Sequence, residues 1–346
     1  MIRRRVGLMF IATLFIATAI GTLSWVPMNA QGTSPASKAT PSANTAALKT
    51  PDGQPDLQGI WTNATVIPLE RPANLKDKEF YTKEEAAENA KQVLGISSWE
   101  RLGSQAAVHY NMSQFGLDLS QVKVAMSLRT SMIVGPDGRI PPFTPEAQKR
   151  RADLAVRNRG HQFDGPEHRP LQERCLVVGS EGPPMLPAAY NSNLQIVQGR
   201  GRVAIVQEEI HSARIIPTDG SPHLPPGIRQ WLGDSRGHWE GDTLVVDTTN
   251  FTDKTAFRGS TENLHLVERL TRVDRDTILY EFTADDPATW VRPWSAQLLL
   301  TSVAGPIFEY ACHEGNLGMA NTLSAARTAE KAAEEAAAKK ASKNEH

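Results

Sequence analysis

The sequence predicts a mainly β protein, an antiparallel meander that closes into a barrel or half-barrel, with short helices and long loops in its N-terminal half. Three observations carry this. From residue 194 onward, β-branched or apolar runs recur at strand-like intervals, at 194–198, 203–209, 213–217, 243–248, 264–272, 277–283, 296–303 and 307–313. Turn residues such as Asp274-Arg275-Asp276 separate neighbouring runs so closely that they pair antiparallel. With an earlier run at 57–63 there are enough strands for the sheet to close on itself, which removes exposed edges. A two-sheet sandwich is the alternative.

At the N-terminus, Arg3, Arg4 and Arg5 precede an apolar run over 6–20 and a small-residue finish at Met28-Asn29-Ala30, the pattern of a secretory signal peptide over 1–30. A retained anchor is the alternative. Residues 31–49 are rich in Ser, Thr, Ala and Pro with little to bury, which reads as a flexible linker. The body, 50–323, reads as one domain: 50–190 supply the first strand and an irregular, partly helical cover, and 191–323 the antiparallel sheet. In the cover, Thr82 is a candidate N-cap for a helix over 83–93, and 127–134 is a candidate strand ending at the turn 135–139. Thr144-Pro145-Glu146 opens a helix that reaches about Arg157, and His161, Asp164, Glu167, His168 and Arg169 follow in a loop. The tail, 324–346, is mostly Ala, Lys, Glu and Arg, a polar helix without an apolar stripe to dock it.

Charge argues against nucleic acid as a partner. Removing the three leader arginines takes 37 basic residues to 34 against 38 acidic ones, a net charge of −4, and the body has no basic block beyond Lys149-Arg150-Arg151. Export to the periplasm or the medium leaves no membrane contact after cleavage, and it decides how Cys175 and Cys312 are read. In an oxidising compartment the pair is most simply a disulfide; buried free thiols and a catalytic thiol are the alternatives.

Three groups of side chains are candidates for chemistry. The stretch 233–251, GDSRGHWEGDTLVVDTTNF, places Asp234, Arg236, His238, Trp239, Glu240 and Asp242 immediately before a buried strand. Arg236, His238, Trp239, Glu240 and Asp242 are candidate substrate contacts; the plain alternative is a capped hairpin whose Trp239 closes the core. The second group is Glu309-Tyr310-Ala311-Cys312-His313-Glu314. His313 is a candidate proton-transfer group because imidazole titrates near neutrality, with Glu314 or Glu309 to orient it. In a strand over 307–313, Glu309 and His313 share a face. A histidine serving only as a hydrogen-bonded strand end beside a disulfide is the structural alternative. The third group is His211, Arg214, Asp219 and His223, in which His211 and Arg214 are further substrate contacts; Arg214 suits a substrate carboxylate or an internal pair with Glu209.

Alternation adds that Glu268 falls on the apolar side with Leu264, Leu266 and Leu270, opposite His265 and Arg269. Ile278, Tyr280 and Phe282 likewise oppose Leu279 and Glu281. Carboxylates among apolar positions are either outer-face ion pairs or polar groups in a cavity. No HxH or HExxH spacing supports zinc, and no P-loop or GxGxxG motif is present, so neither a metal nor a cofactor is expected.

Gly59-Ile60-Trp61 is similar to the Gly-x-Trp opening of lipocalin-like barrels, in which the Trp plugs the closed end. The signatures TPDGxPDLxGxW at 50–61, GDSRGxWEGDTLVVDTTNF at 233–251 and EYACHEGN at 309–316 together resemble a widespread family of uncharacterised secreted bacterial proteins. That resemblance spans nearly the whole body and lends no residue a role. Two functional readings follow. One is an exported lyase, isomerase or hydrolase acting on a small organic molecule by acid–base chemistry at a barrel mouth. The other is a non-catalytic carrier or sensor of a small apolar ligand, walled by Trp239, Trp290, Trp294 and Tyr280. If His313 and the 233–242 stretch lie on opposite ends of the barrel, the enzyme reading loses this site.

Overall fold

A computed structural model of the protein describes residues 48–95, 127–177, 182–188, 191–254 and 257–344. The leader, the linker up to residue 47 and the middle of the cover lie outside them. Nine strands form one sheet: β1 Gly59–Thr62, β2 Asn193–Gly199, β3 Arg202–Gln207, β4 Ala213–Pro217, β5 Asp234–Glu240, β6 Thr243–Thr249, β7 His265–Asp274, β8 Thr277–Asp285 and β9 Trp294–Ser302. Their order is β4-β3-β2-β1-β9-β8-β7-β6-β5, every hydrogen-bonded pair antiparallel, and the sheet is nearly closed into a barrel.

The remaining seam lies between β4 and β5. Following the registers around the sheet, both strands begin at the same end, so they run side by side in one direction and the loop 218–233 must return along the barrel. The seam is tight. A Cβ on Gly237 would stand 2.9 Å from both Ile216 Cγ2 and Thr218 Cγ2, so only glycine lets β5 approach β4.

The inward side chains follow the period of two. Leu194, Ile196, Val203, Ile205, Ile216, Leu244, Val246, Leu266, Leu270, Ile278, Tyr280, Phe282, Leu298 and Leu300 fill one core. Trp61 is buried among them, its indole N–H donates to Leu57 O at 3.0 Å, and the Arg272 guanidinium lies 5.2 Å over its ring. The segment 182–186 is also buried, and its Met185 N–H donates to the Tyr280 hydroxyl at 2.9 Å. Gly182 (φ +85°) makes that fold possible, since a Cβ there would be 2.8 Å from Met185 N.

Outside the sheet, the described residues form three α-helices, α1 Lys83–Gly95, α2 Pro145–Asn158 and α3 Leu317–Asn344. Thr82 caps α1 reciprocally: Glu85 N–H donates to Thr82 Oγ1 at 3.2 Å and Thr82 N–H to Glu85 Oε2 at 2.8 Å. Thr144 caps α2 by accepting from Ala147 N–H. The polar helix α3 begins at Leu317, ahead of the predicted tail, and no helix among the described residues is long and apolar enough to cross a membrane. Cys175 and Cys312 form a disulfide with Cα atoms 5.8 Å apart.

Three expectations need correction. Residues 307–313 are not a strand: both edges of β9 are already taken, by β8 and β1, and β4 and β5 face one another across the seam. The segment is held instead by the disulfide at Cys312 and by Tyr310 N–H, which donates to His211 Nδ1 at 3.2 Å. Glu309 and His313 therefore do not share a strand face. Residues 127–134 form only isolated bridges, Phe80 with Arg129 and Ile133 with Ala296. There Arg129 takes up the carbonyls of Ser131 and Ile133. Conversely 234–240, read as a charged approach to a strand, is itself β5. Ser235, Gly237 and Trp239 point inward and Asp234, Arg236, His238 and Glu240 outward.

The 137-residue separation of the cysteines sets the first prediction. In the chain-entropy model, Cys175→Ser lowers unfolding free energy by up to about 4–5 kcal/mol. Denaturant midpoints should show this loss, and reductant should then have no further effect on the variant.

Candidate functional site

Inside the barrel, β4, β7 and β8 bring Arg214, Glu268 and Tyr280 together. The Arg214 guanidinium grips the Glu268 carboxylate with both terminal nitrogens, Nη1 on Oε2 and Nη2 on Oε1, the latter at 3.0 Å, and the Tyr280 hydroxyl donates to Oε1 at 2.7 Å. All three are buried. Burial alone would drive Arg214 toward neutrality, but the Glu268 charge and hydrogen bonds outweigh it and hold the guanidinium charged. Burial, then the Glu268 charge, pushes the Tyr280 hydroxyl well above its ordinary value, so it acts as a donor. Beside Arg214 is a cavity of about 10 Å³, lined by Gly182, Ile205, Gln207, Ser212, Arg214 and Leu232, with room for about one water. Arg214 pairs with Glu268 rather than Glu209, and Glu268 belongs to the interior rather than to outer-face ion pairs.

On the outer face of β5, β6 and β7, acids and imidazoles alternate in a chain. Asp234 Oδ1 accepts from Arg236 Nη1 at 2.7 Å, and its Oδ2 meets Leu224 N–H and His223 Nδ1, each at 2.9 Å. His223 Nε2 lies 2.9 Å from Asp247 Oδ1, and Asp247 Oδ2 lies 2.7 Å from His265 Nε2. Side-chain exposure rises along it: 4% for Asp234, 30% for His223, 36% for Asp247 and 45% for His265. Carboxylates only accept, so satisfying both contacts of His223 requires N–H on both its ring nitrogens or a proton on one carboxyl. Burial works against the Asp247 charge, yet the hydrogen bonds and charges of His265 and His223 prevail, and Asp247 sits below the ordinary carboxylate value. The hydrogen bond to Asp247 raises His265 above the ordinary imidazole value, against its burial, with Asp247 and Asp285 adding charge.

This chain can move a proton. When neutral His265 donates Nε2–H to Asp247, its lone pair is on Nδ1, which has no protein partner among the described residues. A carboxylate that orients an imidazole and stabilises its cation is the arrangement general acid–base chemistry uses.

The candidates named from sequence fall elsewhere or only partly here. Arg236 anchors Asp234 and also donates to Pro222 O. His238 and Glu240 lie on the outer face, 3.2 Å apart; Arg269 donates to Glu240 at 2.8 Å and, with His238, holds it below the ordinary value. Trp239 packs against the core, and Asp242 sits in the exposed turn between β5 and β6. His313, Glu314 and Glu309 are exposed, and among the described residues no side-chain hydrogen bond joins His313 to either glutamate. The structure does bring His211 to the 309–314 segment, through Tyr310. That contact is at the end of the barrel where β5 begins, whereas Glu240 and Asp242 are at the other end, so His313 and the whole 233–242 stretch do not share one mouth. Sequence reasoning missed Asp247 and gave His265 no role. Their outward positions on neighbouring strands were readable, but their pairing required the β6–β7 register, and His223 arrives from a loop.

No protein-family model matches the chain, and no curated protein matches it in sequence. Among the described residues, no group of three or more His, Cys, Asp or Glu is arranged to hold a metal ion.

Two predictions follow from these networks. Glu268→Gln leaves a buried cation without its counter-charge and should cost about 3–5 kcal/mol in urea unfolding, whereas replacing Arg214 and Glu268 together by apolar residues should cost less than that single change. For the outer pair, the raised His265 contributes stability fully below about pH 6.5 and loses it as pH rises through its folded value. The depressed Asp247 contributes above about pH 4 and loses it as pH falls through its folded value. The stability gap between wild type and His265→Gln should therefore be widest between about pH 4 and 6.5 and shrink on either side.

Proposed function

We propose that the protein is an exported enzyme acting on a small organic molecule by acid–base chemistry, as a lyase, isomerase or hydrolase, with His265 as its proton-transfer group. The observation that carries this reading is the continuous chain Asp234–His223–Asp247–His265, closed at the buried end by Arg236 and half-exposed at His265. Asp247 orients the His265 ring and stabilises its cation; His223 and Asp234 hold Asp247. His313 is replaced in this role because it is exposed and no carboxylate orients it among the described residues. Export is supported by the leader-like 1–30 segment and by the disulfide, which suits an oxidising compartment.

The test is a mixed panel of hydroxy acids, enolisable ketones and esters incubated with the protein in D₂O and followed by NMR, which reads both turnover and exchange of substrate C–H. His265→Ala should lower any rate found by about 10²–10⁴-fold, and Asp247→Asn should shift its pH profile. His313→Ala should retain the wild-type rate. A substrate turned over equally well by His265→Ala would overturn the assignment.

A further inference from the structure

Near the end of the barrel where β7 and β9 begin, four aromatic rings meet. Phe257 stacks on Trp294 with centroids 5.9 Å apart and planes 22° from parallel. Phe282 and Trp290 each meet Trp294 edge to face at 5.6 Å. Trp290 and Trp294 are only 2% and 3% exposed, yet among the described residues neither indole N–H has a hydrogen-bond partner. Trp61, Tyr280, Arg214 and Glu268 are satisfied, whereas Asn63 Oδ1, Glu208 Oε2 and Thr301 Oγ1 also have no partner among the described residues; the two indoles are the unpartnered donors that touch one another.

An unpartnered buried donor costs about 1–3 kcal/mol, and here two occur in adjacent side chains. Because the two indoles are perpendicular, only the edge-on ring can aim its N–H at the other's face. Phe282, which also meets Trp294 edge to face, offers the second N–H only a weak π acceptor, so an oxygen acceptor is the stronger partner for it. A water suits the place poorly, since it brings two hydrogens of its own into a group of aromatic rings. A group that only accepts suits it better. A carboxylate would have to shed its hydration among those rings, so the match is a neutral carbonyl oxygen.

The ring on the face of Trp294 differs from its neighbours. Phe282 is on β8 and Trp294 on β9, and Trp290 belongs to a turn pinned by the buried Asp286, which accepts from Thr261, Ala288 and Thr289. Phe257 instead comes from the three-residue 3-10 turn Phe257–Gly259, in which Arg258 has φ +52°, and it is only partly buried. We propose that Trp290 and Trp294 form a binding site for a planar aromatic carbonyl compound, whose ring stacks on Trp294 where Phe257 now lies. This site is independent of the His265 chemistry.

The test uses the whole mature chain, with acetophenone as probe and ethylbenzene as its shape match without an acceptor. Phe257→Ala opens the ring position. Acetophenone should raise the melting temperature of that variant and bind it about tenfold more tightly than ethylbenzene, the worth of roughly one hydrogen bond. In ¹⁵N spectra it should move at least one of the Trp290 and Trp294 indole signals downfield, assigned with Trp290→Phe and Trp294→Phe. Equal affinity for the two probes, no binding of either, or indole signals that report a bound water and ignore acetophenone would each overturn the proposal. Should Phe257→Ala not fold, wild-type protein decides by the same spectra. A saturable shift with acetophenone alone supports the site, and its absence overturns it.

Discussion

The buried pair of Arg214 and Glu268 is the contact on which the barrel depends. Arg214 stands on β4, one edge of the sheet, and Glu268 on β7, with β6 between β7 and the other edge strand, β5. Since the seam has no strand-to-strand ladder, this strut ties one edge to the opposite wall through the core. A bare charge could not occupy that core, and its cost is offset only because both guanidinium ends, the Tyr280 hydroxyl and the Met185 N–H complete one connected network. The same network fixes the segment 182–186 in the interior and leaves room for little more than one water.

The seam also explains the outer face. Two edge strands that run in the same direction cannot be joined by a tight turn, so 218–233 has to travel back along the barrel. In doing so it lays His223 between Asp234 of β5 and Asp247 of β6, and the adjoining β7 supplies His265. A topological necessity thus assembles four titratable groups that are separated by up to 42 positions in sequence. At the seam the inward residue of β5 is Gly237, and on the outward side the loop covers Asp234 and Arg236 while His238 and Glu240 remain exposed.

Much of this was legible beforehand. Alternation in 264–272 and 277–283 put Glu268 and Tyr280 on the apolar side of their strands, because antiparallel strands oblige every second side chain to share an environment, but it left open whether Glu268 served an outer ion pair or the interior. Capping residues placed the starts of α1 and α2, and the cysteine pair is joined as expected. β5 escaped because its inward residues are Ser235, Gly237 and Trp239, which carry no apolar period although the charges between them alternate. Residues 307–313 misled for the opposite reason: an alternating apolar pattern makes a strand only where an edge is open to receive it.

What the sequence by itself determined was local and one-dimensional: most strand positions, which side chains alternate together along a strand, and helix caps. Those properties follow from backbone geometry and from the sorting of apolar side chains away from water, which act over a few residues. Only the tertiary structure decided which charges became partners. Arg214 found Glu268 rather than Glu209, and His265 rather than His313 gained a carboxylate, because pairing depends on register and closure, and a shift of one residue in either would send each side chain to the other side of the wall.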